Sequence, residues 1–161
     1  MEKERQHNGR DNAARFCIVN AESVKNADTA RKKGYDAGKK VSGIKRHIAV
    51  DTQGLPNAIW VTTAEVTDLA GALAMLDRHK STLTKVTAIL ADGGYTDAPF
   101  ADDVKEWLGV MIEIAKRNKL HIFALMPQRW VVKRSFAWLE KCRRLWENCE
   151  RKLESSLQFV A

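Results

Sequence analysis

Apolar residues first gather at Phe16-Cys17-Ile18-Val19, a short β-branched run that predicts a buried strand ending at Asn20. Ahead of it, residues 1–14 are polar and aperiodic, the composition of a disordered tail. From 26 to 43 the chain is polar and basic and carries Gly34, Gly38 and Gly43, which reads as a loop. Apolar-rich runs at 44–50 and 58–63 flank Asp51-Thr52-Gln53-Gly54-Leu55-Pro56, the pattern of a β-hairpin with a turn-rich connection. Behind a Thr67 or Asp68 cap, Leu69, Leu73 and Leu76 recur at helical spacing, predicting a helix up to about Lys80.

The second half alternates. Residues 86–91 (VTAILA) form a buried-type strand that ends at Asp92-Gly93-Gly94. A helix follows from about Asp97, with Pro99 in its first turn and Val104, Trp107 and Leu108 turned inward. Residues 110–115 make a third short strand. From Arg129 to about Leu153 one long helix is expected, with Val131, Trp138, Cys142, Leu145 and Cys149 on its apolar face and Arg134, Lys141, Arg144 and Arg151 elsewhere. This order is an α/β plan with an antiparallel start, parallel later strands and helices on the faces of the sheet. A ribonuclease-H-like mixed sheet with flanking helices fits it, and a flavodoxin-like plan shares its later half. Residues 15–161 then make one domain behind the polar tail.

Composition narrows the class. With 45% hydrophobic residues and five Trp in 161 residues there is apolar mass for one core. No apolar run approaches the roughly 18 residues of a membrane span, and the polar start lacks the core of a signal peptide. Three Cys without a C-x-x-C pair argue against a disulfide framework or a zinc knuckle, and Cys142 and Cys149 read as small buried residues. The four His form no ligand-spaced cluster. A soluble chain of a reducing compartment is expected. The net charge of +7 is uneven: residues 31–50 balance at +6, 51–115 at −6 and 116–152 at +8. Two basic segments around an acidic middle suggest a polyanion contacted from two sides, although many small basic domains bind none.

Three features could carry chemistry. Asp92 closes a buried strand ahead of two glycines, where ligands of open α/β sheets gather, so it is a candidate metal ligand or equally a turn former or helix cap. Arg129 and Lys133, four apart, with Lys141 and Arg144 further on, make a row that tracks phosphates or is a solvated basic face. The loop Lys32-Lys33-Gly34-Tyr35-Asp36-Ala37-Gly38-Lys39-Lys40, followed by Lys45 and Arg46, suits a backbone-gripping segment or an ordinary solvated loop.

Taken together, GYDAGKKVSGIKRHIAVDTQGLP (34–56), ILADGGY (89–95) and PQRWVVKRSFAWLEKCRRL (127–145) resemble the catalytic domain of bacterial DDE-type insertion-sequence transposases. The match is to the group named after insertion sequence five, related to the insertion-sequence-four group, and it covers roughly 16–159. The resemblance implies a ribonuclease-H-like fold in which three acidic residues hold two Mg²⁺ ions for DNA strand cleavage and transfer. It also implies a partner in double-stranded DNA at the transposon ends, a place on the nucleoid in the bacterial cytoplasm, no membrane, and room for a homodimer. The carry-over makes Asp92 the second carboxylate and places Arg129 four residues before the third. Lys39, Lys40, Lys45, Arg46, Arg129, Arg134, Lys141, Arg143 and Arg144 become the expected DNA contacts.

The pattern departs twice. The first motif reads Asn20-Ala21-Glu22-Ser23-Val24-Lys25, with Asn20 in place of the family's Asp, and the third reads Arg129-Trp130-Val131-Val132-Lys133-Arg134, with Lys133 in place of its Glu. A neutral amide can still lend an oxygen to a metal, but an ammonium cannot. At ~4 Å and an effective dielectric of ~20, a +1 group facing a +2 ion costs roughly 8 kcal/mol as an upper-end figure. Glu22 and Glu140 are the nearby acids. On this reading Glu22, past the strand end, reaches the site only if the chain turns there, and Glu140, two turns on, is too far along the helix axis. The expectation is a truncated transposase catalytic domain, lacking the N-terminal end-recognition region and inactive as written, with Mg²⁺ the family's ion but its binding here undercut. The other readings are a non-catalytic DNA-binding or regulatory remnant, and a pseudogene product without selected function.

Overall fold

A computed structural model describes residues 14–95, 98–115 and 129–161. The expected disordered tail falls almost wholly outside these residues. Six strands form one mixed sheet among them: β1 (Phe16–Lys25), β2 (Gly34–Asp36), β3 (Val41–Val50), β4 (Pro56–Thr63), β5 (Ala88–Asp92) and β6 (Met111–Ala115). The path runs β2-β3-β1-β5-β6, with β4 also on β3. β1 and β4 are antiparallel to β3, whereas β5 is parallel to both β1 and β6. The helices are α1 (Asp68–Arg78), α2 (Ala98–Leu108), α3 (Arg129–Lys141), α4 (Arg143–Trp146) and α5 (Leu153–Val160).

Side-chain alternation along the strands divides the molecule into three layers. Cys17, Val19, Ile89 and Ala91 enter a core with Ala72, Met75 and Leu76 of α1 and Phe100 and Val104 of α2. On the other face Ile18, Ile48 and Val50 meet Val131, Val132 and Phe136 of α3, and Val24, Ile44 and Val61 meet Leu153 and Leu157 of α5. α1 starts where predicted, with the Thr67 hydroxyl accepting from Ala70 N at 3.2 Å.

The β3–β4 turn fixes the seat of α3. Asp51 is buried, and its Oδ1 accepts from Gln53 N at 2.8 Å and Leu55 N at 3.0 Å. Gly54 takes φ +89°, a conformation open to glycine and costly for other residues. The two turn carbonyls that result are taken by α3: Arg134 Nη2 donates to Gln53 O and Ser135 Oγ to Gly54 O, each at 2.8 Å.

Four expectations need correction. The first strand does not end at Asn20 but runs on to Lys25. The loop of 26–43 contains β2 and the start of β3. Trp107 is exposed, with Lys80 Nζ 5.0 Å above its ring. The single long helix is broken: Cys142 is extended at φ −79°, ψ 113°, and residues after Trp146 turn back to β1, with Cys142 and Cys149 exposed; Trp138, within α3, is exposed as well. Buried Asn148 drives that return. Its N–H donates to Lys25 O at 2.9 Å, its Nδ2 to Asn26 Oδ1 at 2.9 Å, and its Oδ1 accepts from Ser156 Oγ at 2.7 Å.

Candidate functional site

β1 and α3 wall a pocket lined by Asn20, Ala21, Glu22, Ser23, Lys39, Lys133, Phe136, Ala137 and Glu140. The strand contributes through its period of two: Asn20 and Glu22 stand between Ile18, which packs under α3, and Val24, which packs under α5. The helix contributes through its period of 3.6, which puts 133, 137 and 140 on one side. Phe136 adds the apolar back.

Asp92 lies beside this pocket. The last registered pair between β1 and β5 is Val19–Ala91, so the next residue on each strand is Asn20 and Asp92. Leu90 packs into the α3 core, and Asp92, two residues on, shares its side of the sheet. Asp92 also shapes its own turn, since Oδ1 accepts from Gly94 N at 2.9 Å. Asp92 thus makes a turn, one of the roles expected of it, and stands at a carboxyl strand end on the α3 side.

The three positions that the resemblance singles out, 20, 92 and 133, carry one neutral amide, one carboxylate and one ammonium. Asn20 Oδ1, the one atom of that amide able to bind a cation, already accepts from Ala21 N at 2.9 Å. Among the described residues no group of three or more His, Cys, Asp and Glu gathers within metal-binding reach. A hard divalent ion prefers anionic and carbonyl oxygens, and the residues present do not fit the family's pair of ions.

Beyond Asn20 the pocket holds a second charged group that the sequence reading set aside. Glu22 is not past a strand end, since β1 runs on to Lys25, and both Glu22 and Glu140 line the pocket. Arg46, only 2% exposed, is directly opposite Glu22 on β3. Burial, reinforced by Glu140, pushes the Glu22 carboxyl above its ordinary value against the pull of Arg46 and Lys39. The buried Glu22 Oε2 and the Nε and Nη1 of Arg46 have no hydrogen-bond partner among the described residues. The extra polar position after Asn20 was the available signal, read too early as the end of the strand.

The expected DNA contacts divide. Lys45 and Arg46 lie inside, and neither can reach a backbone passing over the surface. Lys45 Nζ is 2.9 Å from Asp68 and 3.1 Å from Asp36. Burial alone would lower its pKa, but these two bonds outweigh burial and raise it. Asp36 in turn is held well below the carboxylate range, first by the Ser23 hydroxyl at 2.6 Å. Lys40 is exposed with φ +55°, and Lys39 Nζ donates to Ala21 O at 3.2 Å. Arg134 is committed to the hairpin turn and stacks on Trp130 at 4.5 Å and Trp138 at 4.8 Å. Lys141 and Arg143 are exposed. Arg144 stacks on Phe159 at 4.0 Å and meets Glu150 at 3.3 Å. Arg129 opens α3, but its side chain is outside the described residues.

A family model described as the transposase DDE domain matches residues 11–161. The chain belongs to this family. A putative transposase for insertion sequence element IS402 of Burkholderia cepacia is 33% identical over 125 residues, which cover 73% of this chain and 59% of that relative. The DDE domain described here thus spans well under two thirds of that relative's length. Among solved structures, a simian T-cell lymphotropic virus intasome in complex with PP2A regulatory subunit B56 gamma superposes with a TM-score of 0.60 at 15% identity, covering 92% of this chain and 47% of that one. The catalytic core domain of BIV integrase superposes with a TM-score of 0.52 at 11% identity, covering 92% and 81%. The sheet and its flanking helices are ribonuclease-H-like, as the element order implied, and the flavodoxin-like alternative falls away. No helix among the described residues is long and apolar enough to cross a membrane.

Proposed function

We propose that this DDE transposase domain grips double-stranded DNA of insertion-sequence ends without cutting it. The observation that carries the reading is that Asn20 and Lys133, which stand where the resemblance expects two of its three carboxylates, line one pocket beside Asp92. The family's chemistry needs metal ions on both the attacking and the leaving oxygen. Each ~1.4 kcal/mol added to the barrier costs tenfold in rate, so a resident ammonium removes that route. The DNA-facing groups on this reading are the exposed Lys39, Lys40, Lys133, Lys141 and Arg143. Lys45, Arg46 and Arg134 support the fold beneath them.

The test is an incubation of the purified chain, in Mg²⁺ and then in Mn²⁺, with duplexes carrying the terminal repeats. A gel shift that weakens as salt rises, with no nicked product, is expected. Robust nicking would overturn the inactive reading, and no shift at low salt would overturn the DNA-binding one.

A further inference from the structure

We infer that the pocket between β1 and α3 holds a DNA phosphate directly on the chain's own cations, Lys133 and Lys39, so that binding needs no divalent metal. This rests on the DNA-binding reading above and specifies the contact that makes it.

Both departures from the family pattern change the pocket in the same sense. A carboxylate that would hold a cation is replaced at 20 by an amide and at 133 by an ammonium, and both of these donate to anions. Asn20 Oδ1 is occupied by Ala21 N, which leaves the Nδ2 hydrogens, without a partner among the described residues, to face an acceptor. Lys133 is exposed on the pocket wall and has no ion pair or hydrogen bond among the described residues, so its charge is uncommitted. Lys39 stands on the same pocket's lining, its Nζ steadied by Ala21 O at 3.2 Å and Asp68 at 3.8 Å with the side chain 43% exposed.

The charge beneath agrees. Arg46 is buried next to Glu22, and two of its N–H-bearing nitrogens lack acceptors among the described residues. Lys39 and Lys133 are the exposed cations of the pocket lining, facing Glu22, Glu140 and the neighbouring Asp92, with Arg46 buried opposite Glu22. At position 133 an uncommitted ammonium attracts a phosphate and repels a divalent cation.

The experiment is a fluorescence-anisotropy titration of a short labelled duplex with the full chain, across a range of KCl concentrations, in Mg²⁺ and in EDTA. The wild type is expected to bind equally in both. Lys133→Ala and Lys133→Gln are expected to bind several-fold more weakly, and each to lower the slope of log K against log salt by about one phosphate's worth, ~0.9. Lys133→Arg should keep the wild-type slope, and Lys133→Glu should bind more weakly than Lys133→Ala. Position 133 is exposed, and thermal melts establish that each variant is folded. Loss of wild-type binding in EDTA, or an unchanged affinity and slope in both neutral variants, overturns the inference while leaving DNA binding intact. No binding by the wild type under any condition overturns the underlying reading and this contact with it.

Discussion

His47 is fully enclosed between β3 and α1, its Nε2 3.0 Å from Thr62 Oγ1, and burial lowers its pKa from 6.5 to about 4. The nearby Asp68 pulls the other way, and Lys45 and Lys39 assist the lowering. The unfolded chain therefore takes up a proton near pH 6.5 that the folded chain refuses until about 4. Stability from this group is complete above that window and falls as pH drops through it, by about 2 kcal/mol between pH 7 and pH 5. Urea unfolding of wild type and His47→Gln should show that loss in the wild type alone, and parallel stability curves would refute it. Glu22 acts in the opposite sense. Its pKa is raised, so its contribution is full below the ordinary glutamate value of 4.5 and declines as pH rises. Comparison with the variant separates the two. At this scale the nearness of Asp92, Asn20 and Lys133 was legible because the motifs around them are long. The burial of Lys45 and Arg46 was not, because it depends on cross-strand partners Ser23 and Glu22 and on Asp68 of a later helix, which no local pattern reveals.

Among the elements, α1 approaches the sheet most closely at Gly71, where a Cβ would run into the His47 ring. Alanine at a helix interior gains ~1 kcal/mol over glycine in propensity. Here the enclosed ring cannot yield, and overpacking of this kind costs ~1–3 kcal/mol. Gly71→Ala should melt below the wild type in calorimetry, and a higher melting temperature would mean that α1 stands further off β3. The hairpin, α1, β5 and β6 were readable from their periods because each has one wet side and one dry side. β1 was cut short in the sequence because its outer half faces the pocket, and Asn20, Glu22 and Ser23 look like the end of a strand when they are the polar wall of a cleft. The break after α3 was hidden for the converse reason. Cys142, Leu145 and Cys149 continue a helical spacing, but Asn148 bonds to Asn26 and Ser156 and outweighs it.

For the molecule as a whole, the charge of +7 is partly a property of the candidate site. Asn20→Asp with Lys133→Glu changes it by −3, to a family-like +4. That double variant crowds new carboxylates near Asp92 and Glu22, so it should melt below the wild type without metal. Added Mg²⁺ should then raise its melting temperature progressively as a ligand of the folded state, by RT ln(1 + [Mg²⁺]/Kd) in free energy. The wild type should be indifferent to the ion. A double variant equally indifferent would show that these positions do not frame the metal site. The ribonuclease-H-like layering was foreseeable from the order of elements, since a parallel β1–β5–β6 set needs helices on both faces.

The bond between Asn26 and Asn148 spans 122 residues. β1 leaves the ribosome well ahead of α3 and α5, and its Ile18–Val24 side is covered only when those helices arrive. At roughly 5–20 residues per second that interval is on the order of ten seconds. Throughout it the nascent chain carries an apolar strand beside a half-made polar wall, open to chaperones and to other nascent copies. The pocket cannot be built piecemeal: it is complete only when α3 has closed back onto β1.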